Sequence, residues 1–155
     1  MISIADFINQ RIKQYGEPTI LDIGCGTGTM TKEYKKVVTV DAYEKFNPVI
    51  LMNLEHQDLP SDWKFEIVLM IDFIEHLTKS RGYQVLEQAK HICTKELIIF
   101  TPIKWDENHI KDTLSPYYGN PFNLHRSFWN VKDFPEFKRY RTQKQWYYTG
   151  VWSLR

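Results

Sequence analysis

Leu21-Asp22-Ile23-Gly24-Cys25-Gly26-Thr27-Gly28 is the stretch on which the fold of this chain turns. Thr19 to Ile23 reads as a short buried strand that opens into three closely spaced glycines, and Thr29 to Lys36 then reads as a helix. A strand, a glycine loop and a helix in that order are how an α/β sheet approaches a nucleotide-like ligand. Glycines let the backbone come close because no Cβ stands in the way. A glycine trio by itself says little, so the residues around it carry the argument.

Outward from the loop, strands and helices alternate. Ile4, Phe7, Ile8, Ile12 and Tyr15 have helical spacing behind Ser3 as N-cap, and Gly16 and Pro18 end that helix. After the loop, Val37 to Asp41 is a second strand with an acid at its carboxyl end, and Ala42 to Pro48 has room for one turn of helix. Val49 to Met52 and Phe65 to Ile71 are the third and fourth strands, the latter continuously apolar as a strand covered on both faces should be. Ser80 to Cys93 is helical through Tyr83, Leu86, Ala89, Lys90 and Cys93, and Glu96 to Thr101 is a fifth strand closed by Pro102. This alternation predicts a Rossmann-like, doubly wound α/β sheet, mostly parallel, with helices on both faces. A long loop at about 103–126 follows, then a short helix over Ser127–Phe134. Phe137–Thr142 and Gln145–Ser153 form a hairpin that finishes the sheet with an antiparallel strand. The length, 155 residues, fits one domain over 1–155.

The loop's details select the ligand. A dinucleotide fingerprint places its third glycine three positions after the second, beside a pyrophosphate; here that position is Thr29. Asp22, just ahead of Gly24, would repel a pyrophosphate and suits an ammonium group. Asp41 stands where a carboxylate can accept both ribose hydroxyls. A ribose diol, a cationic amine and no phosphate describe S-adenosylmethionine. The same features disfavour a nicotinamide oxidoreductase.

With these residues in place, the chain resembles the class I S-adenosylmethionine-dependent methyltransferases over about residues 3–102. Leu21–Gly28 is similar to their first motif, Val40-Asp41 to the acid that follows it, and Leu97–Pro102 to their fifth strand. Phe65 to Leu77 is similar to their fourth-strand motif, and its Glu75-His76-Leu77 ending resembles the branch that methylates small molecules, lipids and sugars. Gly119 to Trp129 is similar to a stretch in uncharacterised members of that branch.

The resemblance implies that Asp22 and the loop of Gly24, Cys25, Gly26 and Gly28 hold the methionine end. Asp41 and Ala42 would take the ribose, and Met70-Ile71 would supply backbone contacts beside the sulfonium. For the adenine, Asn53 or Glu55 would receive the amino group with Leu54 against the ring; Asp58 fits the register less well.

His76 is read either as the base that takes a proton from the acceptor or as a helix-start residue bonded to backbone. His125 is the rival base, or else it orients the long loop. Glu75 is read as a structural acid at a helix start. Trp105, Tyr117, Tyr118 and Trp129 either wall an acceptor pocket or fill core. The five histidines show no ligand spacing, so no metal is expected.

Composition narrows the partners. Twenty Lys+Arg against nineteen Asp+Glu give a net charge of +1, which supplies no field for drawing in nucleic acid or an anionic membrane. Lys138 to Arg141 and Trp146 to Tyr148 are read as two alternating strands rather than an RNA-stacking surface. Two cysteines are too few for a disulfide framework, so the expectation is a cytoplasmic protein with reduced thiols. The longest apolar stretch, Ile67–Ile71, is too short to cross a bilayer, and Met1–Asp6 lacks a basic region followed by an apolar run, so no signal peptide is expected. The expected activity is methyl transfer to a small-molecule or glycan acceptor, with O-methylation preferred. The alternative is a non-catalytic S-adenosylmethionine-binding protein, a sensor or partner subunit.

Overall fold

The computed structural model describes residues 1–104 and 119–154; Trp105, His109, Tyr117 and Tyr118 lie outside them, as does most of the expected long loop. Seven strands form one sheet: β1 (Ile20–Ile23), β2 (Val37–Asp41), β3 (Ile50–Leu51), β4 (Phe65–Ile71), β5 (Cys93–Pro102), β6 (Lys138–Tyr140) and β7 (Tyr147–Ser153). Their order is β3-β2-β1-β4-β5-β7-β6. The first five run parallel, while β7 is antiparallel to both β5 and β6. The Rossmann-like, mostly parallel sheet with a C-terminal antiparallel hairpin is therefore as read from the sequence.

β4 shows why. Successive side chains of a strand point to opposite faces, and Ile67, Val68, Leu69 and Met70 are all fully buried. Val68 and Met70 join the core beneath α2 (Lys79–Ile92), whereas Ile67, Leu69 and Ile71 join the core beneath α1 (Ile4–Lys13). A strand between two apolar layers has no polar face to show.

α1 begins where the Ser3 hydroxyl accepts from the Asp6 amide, and it buries Phe7, Ile8 and Ile12. Each such side chain stabilises the fold by roughly 1.5–3 kcal/mol on burial. α2 buries Gly82, Val85, Leu86, Ala89 and Ile92. That stripe is displaced from the expected one: Tyr83 is exposed and Lys90 pairs with Glu87 and Glu136. α2 runs into β5 with no loop between them.

Of the expected helices, one is replaced by turns and one is reduced to a single turn. Over Thr29–Lys36 the chain makes turns, with the Thr31 and Lys32 amides both donating to the Gly28 carbonyl and Tyr34 donating to Thr31. Thr31 directs its hydroxyl to Asp22, and Tyr34 reaches Asn9 on α1. Side chains that bond elsewhere compete with a helix. Over Ser127–Phe134 only Val131–Asp133 is helical, as one 3-10 turn closed by an Asn130/Asp133 capping box.

β1 is followed on one side by β2 and bordered on the other by β4, so the strand order reverses around it. In open α/β sheets ligands bind outside the carboxyl ends of the strands at such a reversal.

Candidate active site

A cavity of about 420 Å³ opens at that point. One wall is the glycine loop. Gly24, Gly26 and Gly28 all have positive φ (69°, 54° and 71°). Gly24 is constrained twice over, because a Cβ there would lie 2.3 Å from Cδ2 of Phe73. No L side chain satisfies both the backbone angle and the contact.

The two acids sit on either side of this loop. Asp22, 2% exposed, lines the cavity and accepts from the Thr31 hydroxyl at 2.7 Å. Burial pushes its carboxyl up to about 6, against the lowering effect of that hydrogen bond and with a smaller contribution from Asp41. Asp41 accepts from the amides of Gly26 (3.0 Å) and Tyr43 (2.9 Å), and burial raises its pKa as well. A carboxylate has about four lone-pair sites, so Asp41 keeps capacity for further donors. Cys25 also lines the cavity; burial and the charges of Asp22 and Asp41 push its thiol up to about 12, which keeps it a neutral wall rather than a nucleophile.

At the outer edge, Ala42, Asn53, Leu54 and Glu55 line the same cavity. The structure separates the two polar residues. Glu55 receives the Thr78 amide (3.0 Å) on one oxygen and the Thr78 hydroxyl (2.8 Å) on the other, at the start of α2. Asn53 uses its side-chain oxygen for the Glu55 amide and has its side-chain nitrogen left. Arg81 fastens this loop to α2 through the carbonyls of Leu54 and Gln57. Asp58 is turned away, paired with Arg81 and Gln88.

Of the β4 pair, Ile71 lines the cavity, while Met70 is fully buried in the core and outside the lining; Gly28 is outside it too and turns the chain. Beyond Ile71 comes Asp72, unmarked in the sequence as a site residue. It has φ +48°, a left-handed conformation that aspartate tolerates better than most residues. Its amide still donates to the Phe100 carbonyl (2.8 Å), so β4 leaves the sheet there and exposes the carboxyl to the cavity.

Glu75, 2% exposed, accepts from the Thr101 hydroxyl at 2.9 Å rather than from a run of helix-start amides. Burial, reinforced by the charge of Asp72, raises its pKa, which favours the protonated carboxyl. Lys144, held 4.4 Å over the Tyr147 ring, opposes that rise.

The sequence-predicted histidines meet. The His76 and His125 rings are 4.9 Å apart, edge to face. Their approach is set by backbone: the Glu75 carbonyl accepts from the amides of Arg126 (2.8 Å) and Ser127 (3.1 Å), and His76 Nδ1 lies 3.2 Å from the Leu124 carbonyl. Because a carbonyl can only accept, Nδ1 carries the proton in this arrangement. Burial lowers the His76 pKa, which favours the neutral ring. Tyr147 of β7, stacked on Phe100 at 4.5 Å, and Phe122 complete this end. Periodicity could mark Tyr147 as a strand residue, but nothing local marked it as cavity-lining.

Trp129 belongs elsewhere. It is fully buried, stacked on Phe134, with Lys79 3.7 Å over its ring, so it fills core and walls no pocket.

No protein-family model and no curated protein matches this chain. Solved structures do. A protein from Pyrococcus horikoshii OT3 is similar with a TM-score of 0.65 at 15% identity, over 97% of this chain and 89% of that one. The magnesium protoporphyrin IX methyltransferase of Synechocystis PCC 6803, solved with bound SAH, gives 0.64 at 13% identity, over 94% and 78%. The methyltransferase domain of bacterial CtHen1 gives 0.60 at 15%, over 97% of each chain. The sheet order, the glycine loop at the reversal and these likenesses agree that the chain has the class I methyltransferase fold.

Proposed function

We propose that this protein is an S-adenosylmethionine-dependent methyltransferase acting on the hydroxyl of a small-molecule or glycan acceptor. The observation that carries the reading is the placement of Asp22 and Asp41 on either side of one glycine loop, in a cavity whose far end holds His76 and His125. Asp22 suits the donor's ammonium and Asp41 its ribose diol. Asn53 is the adenine partner through its remaining side-chain nitrogen, which can donate to a ring nitrogen. Ile71 borders the sulfonium. That the Synechocystis enzyme was solved with SAH in the same fold supports this choice of donor.

The reaction is an in-line displacement. An oxygen lone pair of the acceptor forms the new C–O bond, the C–S bond breaks with its electrons returning to sulfur, and the hydroxyl proton leaves to a base. His76 or His125 serves as that base, or catalysis rests on holding the reactants at attack distance. Both cysteines are free, which accords with a reducing, cytoplasmic setting, and no described helix is long and apolar enough to cross a membrane. The single sheet supports one domain, and the net charge of +1 supports an acceptor other than nucleic acid.

One observation favours the second reading, a non-catalytic donor-binding protein. The connections from β1 to β2 and from β2 to β3 are turns and one 3-10 turn, a thin cover for a bound cofactor. Calorimetry with S-adenosylhomocysteine and NADH tests the donor: micromolar binding of the first alone is expected, and displacement by NADH would overturn it. Methyl release from labelled donor over an acceptor library separates enzyme from sensor. Donor binding without turnover on any hydroxyl acceptor would favour the sensor.

A further inference from the structure

We infer that Glu75, His76 and His125 form a binding site for one divalent transition-metal cation at the acceptor end of the cavity. The inference deepens the methyltransferase reading and rests on it only for the cation's task. One ligand atom from each of the three residues lies within 4.8 Å of those of the other two. Around a tetrahedral ion at about 2.0–2.2 Å, ligand atoms stand roughly 3.4 Å apart. Binding an ion would draw the three ligand atoms closer by rotation of their side chains.

The surroundings of the cluster are those of a metal site. His76 donates from Nδ1 to the Leu124 carbonyl, so Nε2 is the nitrogen that would ligate. Glu75 is held on one oxygen by the Thr101 hydroxyl. A ligating histidine whose other nitrogen is hydrogen-bonded, and a ligating carboxylate that is itself hydrogen-bonded, are how proteins orient such ligands. The His125 segment is clamped to the same 3-10 turn through the Glu75 carbonyl, so the ligand from the distant part of the chain is as well placed as the two adjacent ones.

The cluster also explains a buried acid. Glu75 lies in the core wall, 2% exposed, and takes the Thr101 hydroxyl on one of its oxygens. Two imidazoles and one carboxylate suit zinc, cobalt or another first-row divalent ion over magnesium or calcium, which prefer oxygen ligands. Three protein ligands leave positions open towards the cavity. There the cation would hold the acceptor's hydroxyl oxygen and ease loss of its proton to solvent, while the C–O and C–S bonds change as described above.

The test uses Co2+ with the intact protein, followed by its visible d–d absorption and by calorimetry. One equivalent is expected to bind, and a large excess of Mg2+ should not displace it. His76→Ala, His125→Ala and Glu75→Gln should each weaken binding at least tenfold, while Thr101→Val, which removes only the orienting hydroxyl, should weaken it about tenfold. His91→Ala, on the exposed side of α2, should leave it unchanged. Circular dichroism identifies the variants that keep the fold, and Thr101→Val serves if the others fail to. Absence of Co2+ binding in the wild type, or equal binding in every folded variant, overturns the inference. S-adenosylhomocysteine binding is measured in the same samples. Donor binding without Co2+ binding sinks the cation alone, and Co2+ binding without donor binding sustains the cation and sinks the donor reading.

Discussion

The hydroxyl of Thr31 donates to Asp22 Oδ2 at 2.7 Å and supports a carboxyl that burial pushes up to about 6. An ammonium beside Asp22 would favour its ionised form and lower its pKa in the complex. Donor binding should therefore release a proton below pH 6 and tighten as pH rises from 5 to 7, levelling off above. Calorimetry in buffers of different ionisation enthalpy measures this directly. A flat profile, or the same profile in Asp22→Asn, would remove Asp22 from the ammonium site. In the ligand-free protein the raised pKa means that this group's stability contribution is complete below its unfolded value of 3.8 and is lost as pH rises through about 6.

Asp41 is already bonded to the Gly26 and Tyr43 amides, so its removal affects both ligand and loop. Asp41→Ala should weaken S-adenosylhomocysteine binding by about 1.5–3 kcal/mol, the scale of hydrogen bonds to a charged group. Asp41→Asn should recover part of the loss, because its amide oxygen still accepts. Equal affinity in wild type and Asp41→Ala would end the ribose assignment.

Asn53 and Glu55 should separate by donor affinity. Asn53→Ala is expected to lower donor affinity by about 0.5–1.5 kcal/mol, with a stability loss of about 1 kcal/mol from the lost bond to the Glu55 amide. Glu55→Ala breaks the two bonds to Thr78 and should lower stability alone, by about 1 kcal/mol. If Glu55→Ala loses donor affinity with stability intact, the assignment of the two residues is reversed.

Gly82→Ala pits two effects against each other. Alanine gains about 1 kcal/mol of helix propensity over glycine, but its Cβ would lie 2.5 Å from Cζ2 of the buried Trp129. Overpacking of that kind costs typically 1–3 kcal/mol, and Trp129, wedged between Phe134 and Lys79, has little room to yield. A net loss of about 1 kcal/mol is expected in urea unfolding. A stabilised variant would show that the indole moves freely.

The two histidines are distinguished by turnover at saturating donor, once an acceptor is known. If one of them is the base, His76→Ala or His125→Ala alone should lose about 100-fold in kcat, the lower end of general-base contributions. If both hold a cation, both variants should lose turnover together with Co2+ binding. If neither loses turnover, both ideas fall and positioning carries the rate.

The parallel sheet, its antiparallel end, the glycine loop and the acids at 22 and 41 were legible from local pattern alone. Apolar runs such as Ile67–Met70 and glycines at required backbone angles act over a few residues, and a linear sequence displays them. The turns over Thr29–Lys36 were not legible, because the Thr31 and Tyr34 side chains found partners on β1 and α1 that spacing does not reveal. Nor was the burial of Trp129, which depends on the absence of a side chain at Gly82. The meeting of Glu75 and His76 with His125 is a product of tertiary structure in the same sense. It requires the chain to leave β5, return to the Glu75 carbonyl, and there place side chains distant in sequence within reach of one another.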